Sequence, residues 1–372
     1  MEQVLPAKTI GKPRILVAPL DWGLGHATRC IPIIRELVDQ QCDVWLAGEG
    51  AQQVLLKAEF PKLPFLELTG YRIRYAKTKN GLIWKMLRQG PKMRRAIGSE
   101  HRWLKKMVKK HEFDAVISDN RFGMHHPSIP CIFITHQLHI KSGAGKWTEK
   151  LLQKRNYRFI NKFSSCWVPD LAGKNNLAGE LSHPASMPGI PVHYIGLLSR
   201  FSKKPLPEKK NYLLVILSGP EPQRTILEEK IIEEINHYNG PATIIRGLPG
   251  EEMLIPSTGM IHFYNHLPAT VLNNEMQEAE YIISRSGYST LMDLAVMGKK
   301  SILVPTPGQT EQEYLGKFLA EKKMTVFIEQ KEFSLEKGLS IARNFDYQIP
   351  ATEMDKKLKE TISEFVLSLP HS

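Results

Sequence analysis

Short apolar runs that alternate with helix-like stretches constrain the fold of this chain more than any other feature. The first series is "RILVAP" (14–19), "DVWLAG" (43–48), "AVISD" (115–119), "CIFIT" (131–135) and "CWVP" (166–169). These runs are continuously apolar, which is typical of parallel strands buried on both faces. Helical stretches begin near Thr28 and Ala51 and separate the first runs. This order predicts a doubly wound α/β domain.

A second series follows a polar segment, "SKKPLPEKKN" (202–211), whose composition is typical of an interdomain linker. Its apolar runs are "LLVILS" (213–218), "ATIIRG" (242–247), "MIHFYN" (260–265), "YIISRS" (281–286) and "SILVPT" (301–306). We therefore predict two Rossmann-like domains. The first covers 1–200 and the second 201–350. A C-terminal helix within 351–372 is expected to pack back toward the N-terminal domain.

The composition narrows the class of protein. The 372 residues are 42% hydrophobic, as in ordinary globular proteins. No apolar run reaches the roughly 18 residues of a membrane-spanning helix, and Met1–Pro13 lacks the apolar core of a signal peptide. The four scattered cysteines form no CxxC pair, which predicts reduced, buried thiols in a cytosolic protein.

Positive charge is concentrated in one segment, 71–110, which holds 14 Lys/Arg and one acid, Glu100. The rest of the chain is nearly balanced. Two interpretations stand: a helix with a solvated outer face, or a patch that binds anionic membranes. No nucleic-acid module accompanies the segment, so nucleic acid is not an expected partner. The predicted membrane patch consists of Lys85, Arg88, Lys92, Arg94 and Arg95, with Trp84 and Trp103 as interfacial anchors.

In open α/β sheets, ligands bind beyond the carboxyl ends of the strands. The first strand is followed by "DWGLGHATR" (21–29), in which Gly23 and Gly25 let a backbone approach a ligand closely. His26 falls where the helix begins. It is a candidate general base, with helix capping as the alternative. Asp119, which ends "AVISD", could orient this histidine.

In the second domain, "LSGPEPQRT" (217–225) is either a Pro-rich turn or a phosphate loop that uses Ser218, Gly219 and Arg224. The stretch 279–322 contains two consecutive strand–turn–helix units. Their helix N-termini, at "SGYST" and "TPGQTEQEY", would both face a diphosphate. Further ligand contacts are expected from Asp293 to a ribose, from Gln312 and Glu313 to a sugar, and from His266 or Leu267 to a base.

The histidines at 125, 126, 136 and 139 lie close together in sequence, but no cysteine accompanies them at zinc-finger spacing. No carboxylate pair is spaced to hold Mg²⁺ on a diphosphate. The sequence therefore predicts neither a metal ion nor a cofactor. Two helix dipoles with Arg224 would stabilise a bound diphosphate instead.

The stretch 279–322 resembles the C-terminal half of glycosyltransferase family 28. That family includes the peptidoglycan N-acetylglucosaminyltransferase and the plant galactolipid synthases. The matching positions are Arg285, Ser286, Gly287 and Asp293, then Pro305, Gly308, Gln312 and Glu313. Two positions depart from the family pattern. The ribose acid is Asp293 where Glu is commoner, and Glu313 stands where the family has a second amide in the hexose loop.

The resemblance extends less specifically to the N-terminal half. His26 matches the histidine that ends the family's first glycine loop, and "FITHQLHIKSGAGKW" (133–147) is similar to an acceptor-facing loop, with His136 and Gln137 at the matching positions. "YIGLLSRF" (194–201) resembles a segment whose arginine faces the diphosphate, here Arg200. The resemblance implies the GT-B fold: two Rossmann-like, doubly wound domains facing a central cleft.

The implied activity is that of an inverting, metal-independent hexosyltransferase with a UDP-sugar as co-substrate. The acceptor would be a hydroxyl, lipid-linked in many members of the family. The enzyme would be cytoplasmic and peripherally associated with the inner face of the membrane. Two alternatives remain open at this point: a nucleotide-sugar 2-epimerase of the same fold, and a non-catalytic protein that binds anionic surfaces.

Overall fold

The computed structural model describes residues 11–71, 81–142, 145–248, 251–253, 255–351 and 356–370, with the backbone alone described at 81–90. The chain divides into two compact units. Unit 1 comprises Met1–Leu198 together with Met354–Ser372, and unit 2 comprises Ser199–Glu353. The sequence predicts domain boundaries at residues 200 and 350, and the corresponding limits of unit 2 are residues 199 and 353.

Unit 1 is built on a seven-stranded sheet in which every pairing is parallel. Its strands are β1 (Arg14–Pro19), β2 (Asp43–Gly48), β3 (Phe65–Glu67), β4 (Ala115–Asp119), β5 (Cys131–Ile134), β6 (Ser165–Val168) and β7 (Val192–Tyr194). The strand order is β3-β2-β1-β4-β5-β6-β7. Helices in this unit are α1 (Gly25–Asp39), α2 (Gly50–Glu59), α3 (Gly81–His111) and α4 (Lys146–Ile160).

Unit 2 repeats the plan with six parallel strands in the order β10-β9-β8-β11-β12-β13. The strands are β8 (Leu213–Ile216), β9 (Ala242–Ile245), β10 (Ile261–Tyr264), β11 (Tyr281–Ser284), β12 (Ser301–Leu303) and β13 (Val326–Phe327). The helices are α5 (Gln223–Ile235), α6 (Ala269–Glu278), α7 (Tyr288–Met297), α8 (Thr310–Glu321) and α9 (Leu335–Arg343). The last helix of the chain, α10 (Lys356–Leu367), belongs to unit 1.

The central strands are buried along their whole length because helices cover both faces of each sheet. Every residue of β1, β4, β5 and β11 is buried, which explains why these runs are continuously apolar in the sequence. The predicted doubly wound α/β class is confirmed. Strands β3, β7 and β13 were not predicted, because two or three residues at a sheet edge are too few to set a pattern.

The C-terminal helix α10 packs on unit 1. The rings of Phe365 and Trp167 meet edge to face, with centroids 5.4 Å apart. The side-chain amide of Gln40, just beyond α1, donates to the Ser363 hydroxyl at 2.9 Å. Helix α10 therefore completes the unit that contains the beginning of the chain.

The interpretation of 202–211 as a linker is wrong. The backbone N–H groups of Ser202 and Lys204 donate to side chains of α6, at Asn273 and Gln277, over 2.9 and 3.0 Å. Glu208 forms an ion pair of 2.7 Å with Lys299. This stretch is therefore docked on unit 2, and its polar composition reflects side chains that are paired with the unit rather than a solvated tether.

All four cysteines are free and buried, as predicted. Burial raises the pKa of Cys42 to about 11 and that of Cys131 to about 12, so both thiols stay protonated at neutral pH. Within the described ranges, no helix combines the length and apolar character needed to cross a membrane.

We expect Phe365→Ala to destabilise unit 1 by about 3–5 kcal/mol, because it removes a buried ring that packs on Trp167. Leu367→Ala, in the same helix but exposed, is the matched control and should cost much less. All six tryptophans precede residue 199, so urea unfolding followed by tryptophan emission reports unit 1. Equal midpoints for the two variants would contradict the packing of α10.

Candidate active site

The strand order of unit 1 reverses between β1 and β4, where the connections leave in opposite directions and open a crevice at the carboxyl edge of the sheet. Pro19, which ends β1, is paired with Asp119, which ends β4. The loop after β1 carries Gly23, whose φ of +72° favours glycine. Helix α1 then starts at Gly25 and places His26 in its first turn.

His26, Arg29 and Asp119 form one contact cluster at this crevice. The imidazole Nδ1 of His26 lies 3.2 Å from Asp119 Oδ1 and 2.9 Å from an Arg29 guanidinium nitrogen. Arg29 also donates twice to Asp119, through Nε to Oδ2 at 2.7 Å and through a terminal nitrogen to Oδ1. Asp119 and Arg29 are buried, whereas 14% of the His26 side chain is exposed. The predicted pairing of His26 with Asp119 is therefore present.

Burial is the main reason that His26 is neutral near pH 7. Burial lowers the pKa of His26, and the Arg29 cation adds to this effect against the opposing effect of Asp119. Burial alone would raise the pKa of Asp119, but Arg29 and His26 outweigh it and hold that pKa well below its usual range. Asp119 is thus an ionised carboxylate that faces a neutral imidazole.

The two contacts of His26 Nδ1 require different tautomers. Arg29 can only donate, so its contact requires an unprotonated Nδ1 and places the imidazole proton on Nε2. The contact with Asp119 requires a proton on Nδ1 and leaves the Nε2 lone pair free. Only the second arrangement lets His26 take a proton from a substrate. The Arg29–Asp119 pair therefore controls whether His26 can act as a base.

Arg29 was not among the predicted site residues. Its spacing of three residues from His26 puts both side chains on the same face of α1, which is a signal the sequence does contain. His136 extends the cluster, because its Nδ1 lies 3.3 Å from Arg29. His136 is buried, so it supports Arg29 rather than presenting an open face. The neighbouring Gln137 is half-buried, and its carbonyl accepts from Asn156.

A pocket of about 480 Å³ adjoins the first loop. It is lined by Asp21, Gly23, Leu24, Glu49, Gly50, Ala51 and Gln52. The side-chain amide of Gln52 donates to the carbonyl of Leu20. The carboxylates of Glu49 and Asp21 accept hydrogen bonds from the backbone N–H groups of residues 70 and 71. The pocket size falls within the range of small-molecule sites, and its walls come from the carboxyl ends of β1 and β2.

Three strand ends lie side by side in unit 2, because β8, β11 and β12 are neighbours. Gly219, beyond β8, has a φ of +106°, and a Cβ at this position would lie 3.3 Å from the Thr306 hydroxyl beyond β12. That hydroxyl is buried and has no hydrogen-bond partner among the described residues. The loops at Ser218–Gly219, Ser286–Gly287 and Thr306–Gly308 thus meet at one edge of the sheet.

Arg285 and Ser286 hold these loops together. The Arg285 guanidinium is buried and donates to the carbonyls of Val304, Pro305 and Gln223 over 2.5–3.2 Å. The Ser286 hydroxyl donates to the carbonyl of Gln312 at 2.7 Å. The Arg285 side chain thus ties β11 to β12 and α5, whereas the sequence predicted a direct contact with a donor.

Gln312 and Glu313, predicted to hold a hexose, bind the loop that precedes their own helix. The amide oxygen of Gln312 accepts from the Thr306 N–H, and the Glu313 carboxylate accepts from the Gly308 N–H, each at 2.9 Å. These bonds satisfy backbone donors of the loop that precedes α8. The two side chains therefore fix the shape of the loop, and Gln312 also donates to Gln309 at 2.6 Å.

Arg224 does not fit the predicted diphosphate role. Its guanidinium is buried and forms ion pairs with Glu221 at 2.5 Å and Glu228 at 3.2 Å. Glu228 also pairs with Arg246 at 2.7 Å, so two carboxylates balance two guanidinium cations and little positive charge is left to attract an anion. Glu221 and Glu228 lie one turn to either side of Arg224 along the chain, a spacing that the sequence shows and that favours this structural role.

Asp293, Arg200 and His266 interact in unit 2. The Ser199 hydroxyl donates to Asp293 Oδ1 at 2.5 Å. Burial raises the pKa of Asp293 to about 7, against the Ser199 hydrogen bond and the Arg200 cation. His266 lies beyond β10 and is exposed overall, but partial burial of its ring and the Arg200 cation together lower its pKa. The next residue, Leu267, is buried. The structure thus brings three predicted donor-binding residues together.

The predicted membrane patch lies on α3. The side chains of Trp84, Lys85 and Arg88 fall outside the described residues. Lys92, Arg94 and Arg95 are exposed, as a membrane-binding surface requires. Trp103 does not fit its predicted role as an anchor, because it is half-buried and packs on the core of unit 1.

In the described part of the chain, no group of three or more His, Cys, Asp or Glu residues is placed to hold a metal ion.

We expect Arg29→Met to lower the free energy of unfolding by about 3–5 kcal/mol at pH 7, because it leaves the buried Asp119 carboxylate without its cation. The pKa of Asp119 is depressed in the folded protein. The contribution of the pair is therefore complete above the unfolded value of about 4 and is lost as the pH falls below it.

Arg35→Met is the matched control in the same helix, since Arg35 pairs with Glu59 near the surface at 3.1 Å and should cost about 1 kcal/mol or less. Adding Asp119→Asn to Arg29→Met should restore part of the lost stability. Urea unfolding followed by tryptophan emission measures all of these variants. A loss no larger than that of Arg35→Met would contradict the proposed charge balance.

Comparison with known proteins finds sequence similarity to glycosyltransferases. Residues 263–366, which run from β10 into α10, match the glycosyltransferase family 28 C-terminal domain. A relative from Bradyrhizobium diazoefficiens is 25% identical over 184 residues, covering 45% of this chain and 46% of the relative. It is named as a UDP-N-acetylglucosamine–N-acetylmuramyl-(pentapeptide) pyrophosphoryl-undecaprenol N-acetylglucosamine transferase. A Pasteurella multocida protein of the same name is 38% identical over 69 residues, 18% of this chain and 20% of the relative. The chain thus spans less than half the length of these relatives.

Solved structures with the same fold cover nearly the whole chain. The kitacinnamycin glycotransferase aligns with a TM-score of 0.61 at 13% identity, over 96% of this chain and 94% of its own. Spinosyn rhamnosyltransferase SpnG with thymidine diphosphate has a TM-score of 0.58 at 13% identity, over 96% and 97%. Acinetobacter baumannii MurG has a TM-score of 0.52 at 16% identity, over 96% and 100%. The resemblance predicted from the sequence is confirmed: the fold is that of the GT-B glycosyltransferases, and residues 263–366 are similar to the glycosyltransferase family 28 C-terminal domain.

Proposed function

We propose that this protein is an inverting, metal-independent glycosyltransferase that moves a hexose from a UDP-sugar to a hydroxyl acceptor. The observation that carries this proposal is the meeting of three polar loops at the carboxyl edge of the unit 2 sheet. Gly219 brings its backbone close to Thr306, whose hydroxyl is buried and has no hydrogen-bond partner among the described residues. Phosphate oxygens are ligands that such an arrangement favours.

The helix ends supply the electrostatics that this reaction needs. Helices α5, α7 and α8 begin next to these loops, at Gln223, Tyr288 and Thr310. Each N-terminus carries about half a positive charge. A departing nucleoside diphosphate gains negative charge as the glycosidic bond breaks, so preorganised positive ends lower the barrier. Arg200 would add a full charge near Asp293 and His266, where the nucleoside would bind.

The acceptor would bind to unit 1. The pocket next to the first loop would hold the acceptor, and His26 would remove its hydroxyl proton through Nε2 while Nδ1–H donates to Asp119. In an inverting displacement, the deprotonated oxygen attacks the anomeric carbon and UDP leaves with the bonding electron pair. A neutral His26 suits this task, because burial and Arg29 keep the imidazole unprotonated at pH 7.

The matched relatives suggest the substrate classes. Their printed names specify a UDP-sugar donor and an undecaprenol-linked acceptor, and we extend both classes, nucleotide sugar and lipid-linked hydroxyl, to this chain. Such an acceptor would place the enzyme at the inner face of the membrane, bound peripherally. Asp293 and Glu313 depart from the family pattern at the ribose and hexose positions, so we expect a hexose other than N-acetylglucosamine.

The test has two steps. A thermal-shift screen against nucleotides and nucleotide sugars should single out uridine compounds, since a ligand at 100 times its Kd stabilises a fold by about 2.7 kcal/mol. Release of free UDP should then require an acceptor extract. UDP-sugar conversion without any acceptor would favour a 2-epimerase. No turnover of any nucleotide sugar would favour a non-catalytic binder.

We expect His26→Gln to lower kcat by about 10²–10⁴ with donor affinity little changed, because glutamine keeps a polar side chain of similar length but cannot accept the proton. His193→Gln, at an exposed position on β7, is the control and should leave kcat unchanged. Steady-state kinetics with calorimetry for UDP separate the two effects. Normal kcat with collapsed donor affinity would contradict the role of His26 as a base.

We expect UDP affinity to rise by roughly tenfold between pH 6 and pH 8. The pKa of Asp293 is about 7 in the free protein, and only the carboxylate accepts two hydrogen bonds from a ribose diol. The fraction of protein able to bind therefore increases as Asp293 ionises. Asp293→Asn should bind more weakly above pH 7 and lose this dependence. Calorimetry at several pH values measures both proteins, and parallel pH profiles would remove Asp293 from the site.

A further inference from the structure

The pocket beside the first loop of unit 1 has acidic walls. Asp21 and Glu49 both line it, and none of its described lining residues is Lys or Arg. Each acid accepts a hydrogen bond from the backbone, Glu49 from the Gly70 N–H at 2.8 Å and Asp21 from the Tyr71 N–H at 2.9 Å. A Cβ at Gly70 would overlap the Asp21 carboxylate, so this position needs glycine. The two acids are therefore built into the wall of the pocket.

Gln52 adds an acceptor without a partner. This lining residue lies in the first turn of α2, and only 3% of it is exposed. Its Nε2 donates to the carbonyl of Leu20, and to that of Gly23 at 3.4 Å, which fixes the orientation of the carboxamide. Its Oε1 is buried and has no hydrogen-bond partner in the described part of the chain. Because an unpaired buried oxygen is costly, it indicates a hydrogen-bond donor that a ligand would supply.

The positive charges at this edge of the sheet do not neutralise the two acids of the pocket. The buried guanidinium groups there have carboxylates of their own, since Arg29 pairs with Asp119 and Arg121 pairs with Glu100. The N-termini of α1 and α2 border the pocket, and each contributes about half a positive charge. Two carboxylates outweigh two such helix ends. The pocket therefore disfavours a phosphate, although helix N-termini by themselves would attract one.

We propose that this pocket binds a sugar ring of the acceptor that carries no phosphate or other negative charge. Sugar hydroxyls can donate to the carboxylates and to Gln52 Oε1, which are acceptors only. Trp22 lies between the lining residues Asp21 and Gly23 and is 36% exposed. Aromatic side chains of this kind are common beside the polar groups of small-molecule sites. The inference rests on the proposed function and names the chemical class of its acceptor.

The proposed class differs from the acceptor named for the matched relatives. Their printed names specify a pyrophosphoryl-undecaprenol acceptor, and a pyrophosphate would meet like charges at Asp21 and Glu49. A lipid-linked sugar without phosphate at this pocket, as in a neutral glycolipid, avoids that repulsion. The acidic wall would thus act in specificity, by excluding anionic acceptors as well as by binding neutral ones.

The pocket lies next to the candidate base. Leu24 lines the pocket and is also the N-cap residue of α1, whose first turn carries His26. A sugar bound to the acids and to Gln52 would present further hydroxyls beside this turn. The same contacts that select the acceptor would therefore bring one of its hydroxyls toward His26.

The test is saturation-transfer NMR with two probes that differ in charge, methyl β-glucoside and its 6-phosphate. The neutral glycoside should bind roughly tenfold or more tightly than the phosphate, because like charges a few ångströms apart near a protein surface repel by at least this factor. No signal from the neutral glycoside would overturn the proposal, as would tighter binding of the phosphate.

The variant Asp21→Asn/Glu49→Gln removes both charges but keeps an oxygen for each backbone N–H. It should shift the ratio of the two affinities toward the phosphate by roughly tenfold or more. The matched control, Asp39→Asn/Glu59→Gln, removes the same charge from the last residues of α1 and α2. These positions lie more than a Debye length of about 8 Å from the pocket, so the ratio should change less than about threefold. Equal shifts in the two variants would overturn the proposal.

Gln52→Met tests the unpaired oxygen, because methionine has a similar length and no carbonyl. We expect affinity for the neutral glycoside to fall by roughly five- to tenfold. Gln53→Met, at the next position of α2 and outside the lining of the pocket, is the matched control and should leave this affinity unchanged. Urea midpoints check that the variants fold. If Gln52→Met lowers its midpoint, the charge variants still decide the outcome.

The outcome can be separated from that of the proposed function. If the neutral glycoside binds as expected but no nucleotide sugar is turned over, the transferase proposal fails and the sugar pocket stands. If UDP is released with phosphate-linked acceptors and Asp21→Asn/Glu49→Gln leaves that release unchanged, the transferase stands and the present inference fails.

Discussion

Parallel pairing of strands in both sheets is the constraint on which the other features of this protein depend. A parallel sheet needs a crossover after every strand, and helices in these crossovers cover both faces of the sheet. The polar chemistry is therefore confined to the loops at the carboxyl edge. In unit 1 this edge carries the His26 cluster, and in unit 2 it carries the three loops around Gly219, Gly287 and Thr306. The same rule places both candidate sites where the strand order reverses.

Buried arginines shape both edges, and each has a structural partner set. Arg29 compensates Asp119, Arg224 is compensated by Glu221 and Glu228, and Arg285 donates to three carbonyls. A guanidinium offers five donors in a rigid fork, so it can join several segments at once. In the sequence, such a residue is indistinguishable from one that binds phosphate, and burial with satisfied partners separates the two roles. Arg200 acts electrostatically on Asp293 and His266, where we propose that the nucleoside binds.

Charge and exposure are distributed differently on α3 and α4. The basic segment 71–110 dominates the charge of the chain, and it was the natural candidate for a membrane patch. Its described apolar residues pack inward, however, because α3 covers the unit 1 core. Helix α4 has fewer charges, yet it exposes Trp147 and Leu151 between them. Net charge along a sequence therefore does not reveal which helix exposes apolar side chains, because their orientation depends on how each helix packs on the core.

The sequence alone determined the α/β class, the two parallel sheets, the strand positions of the central runs and the family resemblance of 279–322. Burial on both faces gives continuous apolar runs, and turn glycines such as Gly23 and Gly219 are visible in a single sequence. It could not determine the long-range polar contacts, such as the one between Arg29 and Asp119, which lie 90 residues apart. Tertiary structure decided that Arg29 completes the His26 cluster and that Arg285 ties β11 to β12 and α5. It also placed 202–211 on unit 2 and turned Trp103 inward. Side-chain direction follows from packing against distant elements, which local pattern does not contain.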